Sequence, residues 1–307
     1  MANFKNYFKL LNHPSKIIPM INYTLLTIYG AIITNSNSSI IACISLLLII
    51  IAINFAWFFS VGINDYYDIE IDSIINPNRP LIKGDLTKKE VKKFFLFTGT
   101  IALISSFLNS LLSTFWSLLL IGIYILLGIF YSTPPIRIKM RTSLSTLIIG
   151  ISCSISILAG GLSILDNNSS FNIFGRNIFN YNKLILISIS IGIISFMVSL
   201  TKDFKDIPGD KTAGIPTLPI KYGAEKAAKI LLVIGVISYA VFFLYLIFDK
   251  IYFFSYPFII FAIISWILIY IYYIKMPGKE RAEILYKLGF MGFLIIIISF
   301  IILEFIF

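Results

Sequence analysis

Nine long apolar runs restrict the fold of this chain more than any other feature of its sequence. They cover residues 17–34, 40–62, 94–111, 114–131, 143–165, 182–200, 228–248, 251–274 and 286–307. A helix of about 18 or more apolar residues is long enough to cross the hydrocarbon core of a bilayer. With 58% hydrophobic and 13% charged residues, the 307-residue chain also lies far outside the range of soluble domains. We therefore predict an all-α polytopic membrane protein, with nine transmembrane helices in a single domain over residues 1–307.

The basic residues predict the orientation of the nine spans. With a cytoplasmic N-terminus, only Arg176, Lys183 and Lys250 of the 25 Lys and Arg residues fall on the opposite side of the membrane. That distribution follows the positive-inside rule without moving any span. Residues 1–16 contain no small-residue cleavage site, so we expect no removed signal peptide. We predict a multi-pass protein of the cell membrane whose N-terminus and active site are cytoplasmic.

The rare residue types exclude several kinds of chemistry. Cys43 and Cys153 both lie inside apolar runs, so neither a disulfide nor a zinc site is expected. The single histidine, His13, precedes the first span, which leaves no Ser-His triad and no His-rich metal site. The net charge of +10 indicates membrane topology and a surface for anionic ligands, so we expect no nucleic-acid partner. No obligate protein partner is expected either.

Two acid-rich segments repeat the same pattern after the second and the sixth span. The first acidic segment, residues 63–84, reads INDYYDIEIDSIINPNRPLIKG, and the second acidic segment, residues 201–223, reads TKDFKDIPGDKTAGIPTLPIKYG. Each contains three aspartates spaced by three and four residues, namely Asp65, Asp68 and Asp72 in the first and Asp203, Asp206 and Asp210 in the second. Repeated halves with the same element in each are one way to build a central membrane site. We predict a bundle built from two related halves, with both acidic segments facing each other on the cytoplasmic side.

The spacing of these aspartates predicts a site for metal ions. Steps of three and seven residues place all three acids of a segment on one face of a continuous helix. Six converging carboxylates would repel one another unless cations neutralised them. Carboxylate oxygens suit hard cations, and Mg²⁺ keeps coordination positions open for substrate phosphates. A single DxxxD pattern is more simply explained by solvated acids paired with nearby Lys and Arg, but two copies in register favour a site for Mg²⁺ and a diphosphate.

Basic and hydroxyl side chains near the acids are candidates for binding the phosphates. The candidates are Arg79, Lys83, Tyr131, Arg137 and Lys139. Arginine and lysine bind phosphate oxygens directly and neutralise a leaving diphosphate. Pro134 and Pro135 are expected to end the fourth span and to direct the basic residues that follow. Each basic residue also has an alternative role in fixing the topology at the membrane surface.

Three motifs, in this order, resemble those of the UbiA superfamily of intramembrane prenyltransferases. They are NDYYDIEID with the trailing NPNRPL, then YSTPPIRIK, then DFKDIPGDKTAGIPTLPIKYG. The resemblance covers about residues 10–300 and includes the nine-helix layout. It implies transfer of an isoprenyl chain from its diphosphate to an aromatic ring, a tetrapyrrole or a glycerol phosphate lipid, with Mg²⁺ as the cofactor. The partners would be a prenyl diphosphate, a lipid-phase acceptor and the membrane lipid itself.

The resemblance also assigns roles to individual residues. It implies one catalytic motif at Asn64, Asp68 and Asp72, and a second at Asp206 and Asp210. The remaining two aspartates become supporting acids, and we count all six as candidate metal ligands. Three further positions match family residues near the diphosphate, namely Arg79, Tyr131 and Lys139. Metal ions and these basic groups would stabilise the charge that develops as the allylic C–O bond breaks.

The sequence departs from the family pattern before the first span. The family has an Arg-Pro pair there, whereas this chain reads NHPSK, with Lys16 after His13 and Pro14. An acceptor-binding arginine is therefore not expected at this place. The histidines of the haem-modifying branch are also absent, which disfavours that branch.

The resemblance alone indicates the acceptor. The motif segments are most similar to those of enzymes that transfer a geranylgeranyl group to geranylgeranylglyceryl phosphate in ether-lipid synthesis. An aromatic quinone precursor or a chlorophyll-type acceptor is the alternative. CDP-alcohol phosphotransferases also use an Asp-rich metal motif, but neither segment contains their DG…AR arrangement. A membrane transporter would place its acids near the bilayer midplane, whereas both acidic segments lie at predicted cytoplasmic helix ends.

Overall fold

The structure is a computed structural model that describes residues 4–11, 14–34, 39–75, 77–141, 144–164, 178–212, 214–247 and 256–306. Within these ranges the chain forms helices and connecting turns and contains no strand. The α-helices are α1 Phe4–Leu11, α2 Pro14–Ile33, α3 Ile40–Tyr67, α4 Ile69–Ile75, α5 Lys88–Leu112, α6 Trp116–Ser132, α7 Leu144–Ser163, α8 Ile178–Leu200, α9 Lys202–Lys205, α10 Ile207–Thr212, α11 Leu218–Tyr222, α12 Ala224–Ile247, α13 Tyr256–Lys275 and α14 Lys279–Ile306. The predicted all-α fold is confirmed.

Eight stretches of the described helices are long and apolar enough to cross a membrane. They are Lys16–Ile33, Ile40–Tyr67, Lys88–Leu112, Ser145–Ser163, Asn182–Lys205, Ala224–Phe243, Tyr256–Lys275 and Lys279–Leu303. The remaining predicted span, 114–131, corresponds to α6, an apolar helix of 17 residues. Just before it, the hydroxyls of Ser113 and Thr114 both donate to the carbonyl of Leu162. The count of nine membrane-spanning helices is therefore not confirmed.

The chain forms two compact units. The first unit comprises Met1–Arg137 and Ile155–Leu184, and the second comprises Ile138–Ser154 and Ile185–Phe307. In the first unit, α3 is the central helix and packs against α2, α5 and α6. The first acidic segment continues directly from α3, so this packing fixes where the segment begins. The prediction of a single domain stays a prediction.

Two glycines allow α2 to lie very close to the C-terminal part of α7 within the first unit. A Cβ atom on Gly160 would collide with the carbonyl of Thr27, and one on Gly30 would collide with the carbonyl of Ile157. Lipid tails are as apolar as the helices, so close packing is a main source of attraction between helices in a bilayer. The glycines therefore hold α2, and with it the start of the chain, in a fixed place.

In the second unit, aromatic contacts hold the start of the second acidic segment. Helices α12, α13 and α14 pack together, and α9 packs against α14. The ring of Phe204, in α9, lies 5.1 Å from the ring of Tyr273 and 6.4 Å from that of Tyr270. Both tyrosines belong to α13 and are buried. Phe204 directly follows Asp203, so these contacts also fix the first aspartate of the segment.

Candidate active site

The first acidic segment is not a continuous helix. Helix α3 ends at Tyr67, Asp68 adopts φ −98° and ψ 8°, and α4 begins at the next residue. The backbone N–H of Asp68 still donates to the Asn64 carbonyl at 3.1 Å, and that of Asp72 donates to the Asp68 carbonyl at 2.7 Å. The prediction of one continuous helical stripe is therefore wrong here. Aspartate favours such a break because its side chain competes with regular helix bonding.

The three aspartates of this segment are buried, and basic side chains neutralise them. The Lys16 ammonium lies 2.7 Å from Asp65 Oδ2. One nitrogen of Arg79, Nη1, lies 2.6 Å from both Asp65 Oδ1 and Asp72 Oδ2. A buried carboxylate is costly without a charged partner, so each of these contacts compensates a large desolvation penalty. Arg79 thus lies against the acids, and its predicted role in binding phosphate stays a prediction.

Arg137 neutralises Asp68 and also caps the end of α3. Its Nη2 donates to Asp68 Oδ1 at 2.8 Å and to the Tyr67 carbonyl at 3.1 Å. That carbonyl is one of those left without a helical partner at a helix C-terminus. Helix α6 ends at Ser132, just before Pro134 and Pro135, as predicted, and the following turn brings the guanidinium to the break.

The other predicted residues of the first half lie at different distances from the acids. The Ser132 hydroxyl donates to Asn64 Oδ1 at 3.4 Å, which brings the end of α6 to the first motif, and Tyr131 is half-buried at the same place. Lys83 is exposed, and its side chain forms no ion pair with any residue that the structure describes. Lys139 is half-buried in a 3₁₀ turn, Ile138–Met140, which belongs to the second unit.

The second acidic segment breaks at the equivalent aspartate. Helix α9 ends at Lys205, Asp206 adopts φ −93° and ψ 0°, and α10 follows at once. The N–H of Asp206 donates to the Lys202 carbonyl at 3.2 Å, and that of Asp210 donates to the Asp206 carbonyl at 2.9 Å. A continuous helical stripe is wrong for this segment too. The repeat predicted from the sequence nevertheless extends to the backbone, because Asp68 and Asp206 occupy the same register in their segments.

The later aspartates of the second acidic segment are less buried than those of the first. Asp203 is buried and Asp206 is half-buried, with the Lys205 ammonium 3.6 Å from Asp206 Oδ1. Burial and, to a lesser extent, the carboxylates of Asp206 and Asp203 raise the pKa of Asp210 to about 6, against a smaller opposite effect of Lys202. A bound cation would relieve the repulsion between these carboxylates.

The donor atoms fit a hard divalent cation. Among the described residues, no three His, Cys, Asp or Glu side chains converge closely enough to hold a metal ion. The groups that the segments do offer are carboxylates and the Asn64 amide, which supply oxygen ligands of the kind Mg²⁺ prefers. The repulsion between Asp206 and Asp210 agrees with this choice, since a cation would relieve it.

The sequence analysis missed the role of Lys16. Its ammonium binds Asp65 and also donates to the Leu10 carbonyl at 2.8 Å, while the indole of Trp57 donates to the backbone carbonyl of Lys16 at 2.9 Å. The sequence did contain a signal, since a lysine at the start of an apolar run needs a partner or access to water. His13, which marked the departure from the family pattern, lies outside the described residues.

Comparisons with known proteins agree with this architecture. The chain is 30% identical to digeranylgeranylglyceryl phosphate synthase of Methanocaldococcus jannaschii, over 100% of this chain and 96% of that protein. A structure solved in a study of digeranylgeranylglyceryl phosphate synthase in membranes has a TM-score of 0.70 and 26% identity, and the match covers 100% of both chains. A UbiA homologue from Archaeoglobus fulgidus bound to GPP and Mg²⁺ has a TM-score of 0.65 and 20% identity over 98% of each chain. At that identity the last likeness shows the fold alone.

A family model also matches most of the chain. The UbiA prenyltransferase family model matches residues 24–295, a range that includes both acidic segments and the YSTPPIRIK motif. The resemblance predicted from those motifs and the enzyme class are thereby confirmed. The chain belongs to the UbiA prenyltransferase family and is a multi-pass integral membrane protein.

Proposed function

We propose that this protein transfers a geranylgeranyl group from geranylgeranyl diphosphate to geranylgeranylglyceryl phosphate, with Mg²⁺ as the cofactor. The observation that carries this proposal is the pair of acidic segments, each broken at its middle aspartate, in a UbiA family chain. Full-length similarity to a digeranylgeranylglyceryl phosphate synthase supports the choice of acceptor. We place the N-terminus and the active site on the cytoplasmic side of the cell membrane, as the basic residues indicate.

The acidic residues would hold the metal ions. Asp68 and Asp72 would serve as ligands in the first acidic segment, and Asp206 and Asp210 in the second, because their spacing matches the family motifs. Asp65 and Asp203 would support them. Bound Mg²⁺ supplies Lewis-acid activation and neutralises the diphosphate as its bond to the prenyl carbon breaks.

Basic side chains would bind the phosphate oxygens and retain the diphosphate after bond cleavage. Arg79 and Arg137 already lie at the carboxylates of the first acidic segment, and both are partly exposed. Lys139, Lys83 and the Tyr131 hydroxyl are further candidates. An arginine fork binds phosphate with two parallel hydrogen bonds, so it stabilises the leaving group better than a single point charge.

The transfer step joins the prenyl carbon to an oxygen of the acceptor. The allylic C–O bond breaks with its electron pair on the diphosphate, the free hydroxyl oxygen of the acceptor bonds to the carbon, and the hydroxyl proton leaves. We propose that the Asn64 amide, held at 3.4 Å by the Ser132 hydroxyl, lies beside the cationic carbon and orients it. Exclusion of water would prevent its capture as an alcohol.

The test is prenyl transfer by purified protein in detergent with Mg²⁺. Geranylgeranyl diphosphate is offered with geranylgeranylglyceryl phosphate, 4-hydroxybenzoate or dihydroxynaphthoate, and the products are identified by mass spectrometry. We expect one ether product, from geranylgeranylglyceryl phosphate, and we expect it to disappear with EDTA. A product from an aromatic acceptor alone would replace the proposed acceptor. Diphosphate binding without any product would contradict the proposed transfer.

A further inference from the structure

Asp65 differs from a typical metal-ligating carboxylate, because a separate basic side chain binds each of its oxygens. Lys16 lies 2.7 Å from Oδ2 and Arg79 lies 2.6 Å from Oδ1. The residue is 3% exposed and lies in the last two turns of α3. We propose that Asp65 is a positioning residue that holds Lys16 and Arg79 ready to bind substrate phosphate, and that it is not a Mg²⁺ ligand. This inference rests on the proposed function.

A metal contact at Asp65 would require one of the two basic groups to leave. Mg²⁺ binds carboxylate oxygen at about 2.1 Å, which leaves no room for an ammonium or a guanidinium on the same lone pairs. The displaced cation would then sit in a largely buried place without its counter-charge. Breaking a buried ion pair in this way is strongly destabilising, because it leaves an uncompensated buried charge. Asp65 is therefore better suited to holding the two cations than to binding the metal.

Both cations are fixed by contacts besides the one with Asp65. The Lys16 ammonium also donates to the Leu10 carbonyl, and the indole of Trp57 holds the Lys16 backbone. Arg79 lies in the turn between Pro77 and Pro80, where its carbonyl accepts the N–H of Lys83 at 2.9 Å. These contacts leave the two side chains little freedom, so less entropy is lost when a ligand binds.

Both cations also retain donors. Arg79 uses Nη1 for both of its aspartates, and within the described residues Nη2 and Nε contact no acceptor. Lys16 uses two of the three N–H groups of its ammonium on described partners. Nitrogen donors of this kind bind phosphate oxygens. The phosphate is either the diphosphate of the prenyl donor or the phosphate of the acceptor lipid, and the test below separates the two.

The test compares Asp65→Asn with Asp68→Asn, the same substitution three residues apart in one segment. Mn²⁺ serves as the metal probe, and its binding to substrate-free protein is measured by electron paramagnetic resonance. We expect Asp68→Asn to weaken Mn²⁺ binding by about tenfold or more, and Asp65→Asn to change it by less than about threefold. Equal weakening of Mn²⁺ binding in both variants would overturn the proposal.

Kinetics then identify the phosphate. At saturating Mg²⁺, Asp65→Asn should raise the KM for geranylgeranyl diphosphate or for geranylgeranylglyceryl phosphate by about tenfold. The substrate with the raised KM is the one that Lys16 and Arg79 bind. An unchanged KM for both substrates would also overturn the proposal.

A second variant separates positioning from folding. Asp65→Asn leaves Lys16 without its counter-charge and is expected to lower the Tm. The double variant, Lys16→Met with Asp65→Asn, removes both members of the ion pair. We expect the double variant to regain most of the Tm but to keep the raised KM. Recovery of both the Tm and the KM would mean that the pair has only a structural role. If the wild-type protein binds neither Mn²⁺ nor the diphosphate, the proposed function itself is contradicted. If the wild-type protein binds both, and Asp65→Asn and Asp68→Asn lose Mn²⁺ binding equally, only the proposed role of Asp65 is overturned.

Discussion

The two acidic segments have nearly the same backbone, but different basic side chains surround their aspartates. Each breaks at its middle aspartate, with φ and ψ of −98° and 8° at Asp68 and of −93° and 0° at Asp206. In each segment an aromatic residue comes directly after the first aspartate and packs against another ring. The ring centroid of Tyr66 lies 5.6 Å from that of Phe95, and the ring centroid of Phe204 lies 5.1 Å from that of Tyr273. The repeat has thus conserved the geometry that sets the direction of the carboxylates.

The difference lies in the basic residues. Lys16 and Arg137 come from distant parts of the chain and Arg79 from the first acidic segment itself, and together they contact its three aspartates. In the second acidic segment, the Lys205 ammonium lies 3.6 Å from Asp206, and the pKa of Asp210 is raised. A cation that enters the second segment relieves repulsion, whereas one that enters the first must compete with arginine. Equal spacing of acids therefore does not give equal electrostatics.

The largest expected effect tests whether both segments are needed. We expect Asp68→Asn and Asp206→Asn each to reduce prenyl transfer by about a thousandfold or more, since both aspartates are proposed to hold the metal at the leaving diphosphate. Initial rates of product formation, followed by mass spectrometry at saturating Mg²⁺, check this. A variant that keeps a tenth of the activity would show that its segment does not act on the diphosphate.

Two surface acids provide matched controls for these substitutions. Asp85 pairs with Lys9 at 3.1 Å in the first unit, and Glu225 pairs with Lys229 in the second, with both pairs largely exposed. Exposed pairs contribute less than about 1 kcal/mol, so Asp85→Asn and Glu225→Gln should leave the rate within about twofold of wild type. A large loss in either control would point to a general sensitivity to lost negative charge.

The second prediction concerns stability and separates the two segments. Arg79→Gln removes a counter-charge that two buried aspartates share, although Asp65 keeps its contact with Lys16, so we expect it to lower the free energy of unfolding by about 3 kcal/mol. Lys205→Gln removes a partly exposed ammonium 3.6 Å from Asp206, and the loss should stay below about 1 kcal/mol. Denaturation of metal-free protein in detergent measures both. Similar losses in the two variants would mean that the difference in compensation has no energetic consequence.

The sequence predicted the helices and the register of the acids better than it predicted their surroundings. Apolar length placed α8, which ends at Leu200 as expected, because lipid requires helical backbone. The breaks at Asp68 and Asp206 were missed for a physical reason. In both segments the backbone N–H groups of the second and third aspartates still donate to the carbonyl four residues earlier. The spacing of apolar and acidic residues therefore continues unchanged through the break.

The partners of the acids depend on tertiary contacts that spacing does not contain. Lys16 and Asp65 are 49 residues apart, and Arg137 and Asp68 are 69 residues apart. The sequence favoured Lys139 and Arg79 as phosphate ligands, because each follows a proline-rich or acid-rich element, and it named Arg137 as a further candidate. It did not indicate which carboxylate each would bind. Lys16 lay just before the first predicted span and was treated as part of a departure from the family pattern.

The smallest expected effect tests the burial and repulsion that act on Asp210 in the second acidic segment. In metal-free protein the pKa of Asp210 is about 6, above the ordinary value of 3.8, so the folded state binds the proton more tightly than the unfolded state. Stability should therefore fall as the pH rises from 3.8 to about 6 and stay constant above that range. Asp210→Asn removes this loss of stability with rising pH. The Tm of the variant should therefore match that of wild type below pH 3.8 and exceed it by about 2–4 °C above about pH 6. A Tm difference between variant and wild type that does not change with pH would show that the second segment is as well compensated as the first.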